Sequence, residues 1–188
     1  MSSARIDLDV IVIGGGIAGL WSLAALRGAG YRAALFERDA IGGGQSAASQ
    51  GMIHGGIKYA LGGGRAASVA LAAMPARWHA SLHDGAAPDL RAAAPAAHDV
   101  LLWSEGSLAA RTTALLAAAA LRGRSLRALA RTDSPAPLDD PRFRGRAWRL
   151  PDFAVDVAAV CSALAGQHAD HLFGIDWDRA RFLRDGDG

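Results

Sequence analysis

The polar side chains best able to do chemistry in this chain gather in one short stretch: Ser46, Ser49, His54, Lys58 and Tyr59. Hydroxyls can bind an anion, an imidazole can hold or pass a proton, and an ammonium can meet a negative group. Glycines run through the same stretch, at Gly42, Gly43, Gly44, Gly51, Gly55 and Gly56, so the backbone can lie flat against a ligand. A second set, of a different kind, precedes it. Gly14, Gly16 and Gly19 keep the G-x-G-x-x-G spacing, and Glu37 stands 18 residues beyond Gly19. Bare backbone at the start of a helix can hold a pyrophosphate, and an acid about 20 residues on can accept hydrogen bonds from ribose hydroxyls. Only two glutamates occur, Glu37 and Glu105. A carboxylate here repels a 2′-phosphate, which argues against an NADP site.

These groups need particular elements to hold them. Val10 to Ile13 reads as an apolar strand, with Gly14 making the tight turn out of it. A helix beginning near Ile17 points its free N–H groups at the phosphates, and Gly19 lets it pack close to the sheet. Gly30 ends that helix where a left-handed C-cap is expected, and Arg32 to Phe36 reads as the second strand. Strand, capped helix, strand and acid in register together predict a dinucleotide-binding unit.

Further on, a helix is expected from Arg65 to about Leu82, with Leu71, Met74, Trp78 and Leu82 on one face and Pro75 kinking or breaking it. Asp99–Trp103 reads as a strand and Ser107–Arg122 as a helix with Ser107 as N-cap. Thr132–Arg146 reads as a loop, Asp156–Ala165 as a helix, and His171–Phe173 and Ala180–Leu183 as short strands. Asp185-Gly186-Asp187-Gly188 is hairpin-turn chemistry, so the expectation is a truncated chain, the N-terminal part of something longer.

The 188 residues suffice for a domain with a real core, and the net charge of +2 with scattered arginines implies no nucleic-acid partner. Lys58 is the only lysine. The lone Cys161 cannot form an internal disulfide and reads as a buried structural thiol in a reducing compartment. No signal peptide is visible, and the later apolar run Ala114–Leu121 is too short to span a bilayer. The expected location is the cytoplasm, with surface association at a membrane left open. His79 and His83 have a metal-ligand spacing but no third ligand, so no metal site is expected. Arg142, Arg144, Arg146 and Arg149 alternate as if three or four could share a strand face. No G-x-S-x-G nucleophile motif occurs.

Gly14–Glu37 together with Ser46–Tyr59 resembles the N-terminal part of the D-amino-acid-oxidase-type (DAO) family of FAD-dependent oxidoreductases. Within it, His54-Gly55-Gly56-Ile57-Lys58-Tyr59 is similar to a segment of FAD-dependent glycerol-3-phosphate dehydrogenases, and Gln50–Gly56 to the corresponding pattern of 2-hydroxyglutarate oxidases. Trp148–Asp156 and its following helix resemble the point where such enzymes return to the FAD domain. The resemblance implies an α/β fold: a Rossmann-type FAD/NAD(P)-binding half-domain with a parallel sheet and a mostly helical insertion. Residues 1–60 would form the FAD-binding unit and flavin loop, 61–147 the insertion with a partial substrate or cap region, and 148–188 the return. The cofactor-binding set it implies is Gly14, Gly15, Gly16, Ile17, Ala18, Gly19, Glu37, Arg38, Ser46, Ser49, Gln50, Gly51 and Met52. His54 and Lys58 are the implied catalytic pair, Lys58 standing where glycerol-3-phosphate dehydrogenases usually carry arginine. A lysine cannot make arginine's bidentate fork, which weakens the match to that substrate. The implied activity moves a hydride from a small hydroxy acid, polyol phosphate or amine to flavin, with a quinone, oxygen or a carrier as electron acceptor. The alternatives are an NAD-dependent dehydrogenase and a truncated nucleotide-binding fragment without turnover.

Overall fold

A computed structural model of the chain describes residues 6–56, 71–96, 98–107 and 127–181. They divide between two compact units, Met1–Gln50 with Ser81–Ala94 and Asp156–Gly188, and Gly51–Ala80 with Pro95–Val155.

The first unit is built on a parallel sheet of β1 (Val10–Ile13), β2 (Ala33–Glu37) and a late strand, Leu172–Gly174, with β2 in the middle. Val10 pairs with Ala33 and Ile13 with Phe36; Leu35 pairs with Leu172 and Glu37 with Gly174. Ala33, Ala34 and Leu35 are buried, as a strand covered on both faces requires. Phe36 stacks on Phe173 across the second pairing, ring centroids 5.4 Å apart. Helix α1 (Ile17–Gly28) connects β1 to β2 and buries Leu20 and Leu23. Its end is a Schellman turn: Gly30 has φ +90°, its N–H donates to Arg27 O, and Tyr31 N–H donates to Leu26 O. The last helix of this unit, Val157–Gln167, buries Val160, Cys161 and Leu164 on one face. Its N-cap, Asp156, accepts from the N–H groups of Ala158 and Ala159 at 2.9 and 3.1 Å.

The second unit carries an antiparallel sheet. In chain order its strands are β3 (Met52–Ile53), β4 (His98–Ser104), β5 (Arg127–Ala128) and β6 (Arg146–Ala154), which makes Leu172–Gly174 of the first unit β7. Helix α2 (Met74–His83) runs between β3 and β4, and Val157–Gln167 is α3. β6 is central, with β4 along one side and β3 and β5 along the other. The β4–β6 register slips between Asp99, opposite Phe153, and Leu101, opposite Arg149. Leu150 to Asp152 stand against the single Val100, which makes a bulge on β6, and Pro151 within it has no N–H to give to a ladder.

The first βαβ unit and the return of a helix and a parallel strand to the same sheet match the sequence reading. Pro75 marks a break, one of the two outcomes expected of it. It lies in the first turn of α2, after a turn at Ala72–Ala73, where its missing N–H costs nothing. Other expectations shift. The four arginines do not share a face. Arg142 sits in a turn paired with Asp140 at 2.7 Å, Arg144 precedes β6, and Arg146 and Arg149 are three apart on β6, hence on opposite faces. Ala180 and Arg181 are not in a strand; they follow a turn at Trp177–Arg179. Of the insertion, 61–147, the described residues carry helix α2, strands β4 and β5 and the first two residues of β6, while β3 and the rest of β6 lie outside those bounds. The expected helix Ser107–Arg122 beyond Ser107, the Arg65–Ala70 part of the other helix, and the terminal turn Asp185–Gly188 lie outside the described residues.

Candidate nucleotide site

The glycine turn sits at the C-terminal end of β1, where ligands bind in open parallel sheets. Gly14 has φ +102°, a conformation that a side chain would strain. A Cβ on Gly19 would run into the carbonyl oxygen of Gly14, so this residue lets the first turn of α1 press against the loop. A Cβ on Gly15 would lie 2.6 Å from Ile41 Cδ1 and 3.2 Å from Glu37 Cβ. Gly16 is the N-cap of α1, extended at φ −74° and ψ 176°, and its position faces Ser46, whose Oγ would be 2.8 Å from an added Cβ. Every position of the turn that a side chain could fill is bare.

Glu37, at the last residue of β2, turns its carboxylate onto this turn. Its Oε2 accepts from Gly15 N–H at 2.6 Å and its Oε1 from Asp39 N–H at 2.8 Å. Those bonds hold its pKa below the ordinary carboxylate value, the Asp39 N–H contributing most and Gly15 next. A charged acceptor therefore stands at the turn at neutral pH. Ser46 Oγ accepts from Ile17 N–H at 2.9 Å, and Ser49 Oγ donates to Ser46 O at 2.9 Å. The stretch Ile41–Ala48 is a run of turns, tied to the glycine turn by Gly42 N–H donating to Gly15 O at 2.8 Å.

The structure thus brings Gly14, Gly15, Gly16, Ile17, Ala18, Gly19, Glu37, Ser46 and Ser49 together in one unit. Arg38 is exposed and pairs with its neighbour Asp39 at 2.8 Å; Gln50 is exposed. Gly51, Met52 and His54 belong to the second unit. Gly51 (φ +62°) accepts from Val155 N–H, Met52 pairs with Ala154 and is exposed, and His54 is half-buried just after β3. Lys58 and Tyr59 lie outside the described residues. Sequence reasoning missed Ile41 and Gly42 as the loop's anchors on the turn. The only available signal was the Gly42-Gly43-Gly44 run, which reads as slack rather than as close approach. Cys161 is buried as expected, its thiol pushed up in pKa by desolvation, and its Cβ would lie 3.1 Å from a Cβ added at Gly42.

A bare turn, a helix N-terminus and a carboxylate at the end of β2 are a donor and acceptor set that fits an ADP moiety. Residues 9–171 match the family model for FAD dependent oxidoreductases, DAO. The chain belongs to that family. It is 43% identical over 182 residues to a probable FAD-dependent oxidoreductase of Pseudomonas aeruginosa, across 96% of this chain and 46% of that protein. The crystal structure of the FAD dependent oxidoreductase from Pseudomonas aeruginosa superposes with a TM-score of 0.73 at 34% identity, across 98% of this chain and 42% of that one. The FAD-bound L-alpha-glycerophosphate oxidase of Mycoplasma pneumoniae shares the fold, with a TM-score of 0.59 at 14% identity over 89% of this chain and 44% of that one. The chain spans about half the length of the relatives it matches. Membership of this DAO family identifies the cofactor as FAD and sets aside the NAD-dependent alternative. Among the described residues, no helix is long and apolar enough to cross a membrane.

Proposed function

We propose that this chain provides the ADP-binding turn and the flavin loop of an oxidoreductase acting on a C–H bond next to a hydroxyl or amine. The substrate class is a small hydroxy acid, polyol phosphate or amine. The observation that carries the reading is the convergence of Glu37 and Ser46 on the glycine turn, with bonds of 2.6 and 2.9 Å to Gly15 and Ile17. In this reading the Gly14–Gly19 backbone and the N-terminus of α1 hold the pyrophosphate, and Glu37 accepts from the ribose hydroxyls, with Arg38 at the rim. Ser46, Ser49, Gln50, Gly51 and Met52 follow the cofactor from the phosphates toward its ring. Residues 1–60 form the binding unit, 61–147 the substrate side and 148–188 the return. When bound, FAD supplies the two-electron acceptor, as the cofactor of the family.

His54 takes the proton from the substrate hydroxyl or amine, and Lys58 offers a point charge to an anionic substrate group. The electron acceptor that closes the cycle is a quinone, oxygen or a carrier, and the location is the cytoplasm or a membrane surface.

The test is anaerobic mixing of the FAD-loaded protein with a 2-hydroxy acid, a polyol phosphate and an amino acid in turn. One class should bleach the flavin band, and His54→Ala should slow that bleaching by about 10²–10⁴-fold. Bound FAD that none of the three reduces would contradict the proposed substrate range.

A further inference from the structure

β3 pairs with β6 only at Met52, opposite Ala154, and Ile53, opposite Phe153. The next residue of β6 is Asp152, inside the bulge at Pro151. Bulges redirect side chains, and here one continues the pairing after the backbone ladder has ended. Asp152 Oδ1 accepts from Gly55 N–H at 3.0 Å, across 97 residues of sequence. Asp152 is 6% exposed. A buried carboxyl group is unfavourable unless hydrogen-bonded, and the Gly55 N–H supplies that partner. Gly55 and Gly56 are buried as well, Gly56 at φ +76°, and Pro75 Cγ lies 3.5 Å from where a Gly55 Cβ would stand. His54 is therefore bracketed. On one side is the Ile53–Phe153 pair, on the other the Gly55–Asp152 bond.

We infer that Asp152 is the positioning residue for His54: its carboxylate fixes the path of the chain at Gly55 and so sets where the imidazole is presented. The inference rests on His54 as the proton-handling group.

The full chain is compared with Asp152→Ala and Asp152→Asn by amide exchange at Gly55, by the His54 imidazole resonances, and by the visible spectrum after FAD is added. In the parent protein the Gly55 N–H should exchange at least about 100-fold more slowly than an unstructured amide. Asp152→Ala should speed that exchange by at least about tenfold, move the His54 resonances and alter the flavin band shape. Asp152→Asn keeps an oxygen at Oδ1 and should restore all three, which a general loss of packing would not do. An unprotected Gly55 in the parent protein, or unchanged His54 resonances in a folded Asp152→Ala, would overturn the inference. So would a folded Asp152→Asn that leaves Gly55 unprotected, and this arm decides the matter if the alanine variant fails to fold. A parent protein that takes up no FAD would instead sink the functional reading, while Gly55 exchange and the His54 resonances still judge Asp152.

Discussion

The glycines of the turn do different physical work, and substitution separates them. Gly14→Ala meets no atom within 4 Å but must hold φ +102°, so it should cost about 1–2 kcal/mol of stability through backbone strain alone. Gly19→Ala drives a methyl into the Gly14 carbonyl and should cost about 1–3 kcal/mol by overpacking. Urea unfolding checks both. Gly16 already has a backbone conformation open to any residue, and its Cβ would displace only the Ser46 hydroxyl. Gly16→Ala should thus cost up to about 1 kcal/mol through the lost Ser46–Ile17 bond and weaken FAD binding by at least about tenfold, about 1.4 kcal/mol. The tight turn at Gly14 and the close packing at Gly19 could be read from spacing, because both are local demands. The partnership of Gly15 with Glu37 and Ile41 could not, because it depends on how the next loop folds back.

Elements with strong local end signals were legible; elements defined by partners were not. α1 was readable because Gly16 and Gly30 mark its ends, and α3 because Asp156 stands before an apolar face. Asp156→Ala removes the acceptor for two N–H groups and should lower stability by about 1 kcal/mol, read as a lower urea midpoint at unchanged slope. β3 and β5 are two residues long each and exist only because β6 pairs with them, so no periodicity could announce them. The β6 bulge hides in the same way. Only the register slip reveals it, and only the bond from Gly55 N–H shows that Asp152 is the residue turned toward Gly55.

At the scale of the whole molecule, acid should lower the stability of the protein in two pH windows of different origin. His168 has its pKa lowered by burial first, then by the charges of His171 and Arg27. A lowered folded value means the unfolded chain binds the proton more readily. That stabilisation is therefore complete above the ordinary histidine pKa, about 6.5, and is lost as pH falls through the lower folded value. Glu37, also lowered, adds a loss only below the ordinary carboxylate value, about 4.3. Melting temperature followed against pH should fall in both windows, and His168→Gln should remove the upper one only. The parallel sheet of the first unit was foreseeable from an apolar strand and helix repeated, whereas the antiparallel sheet of the second includes two-residue strands that only their partner β6 defines. The claim that matters most is that backbone at a bare turn, with Glu37, grasps the ADP half of FAD. Equilibrium dialysis of FAD and of FMN, which lacks that half, against the protein and Glu37→Gln tests it directly. FAD should bind at least about tenfold more tightly than FMN, and the variant should lose most of that preference. Equal binding of FAD and FMN, or a preference untouched by Glu37→Gln, would contradict the account.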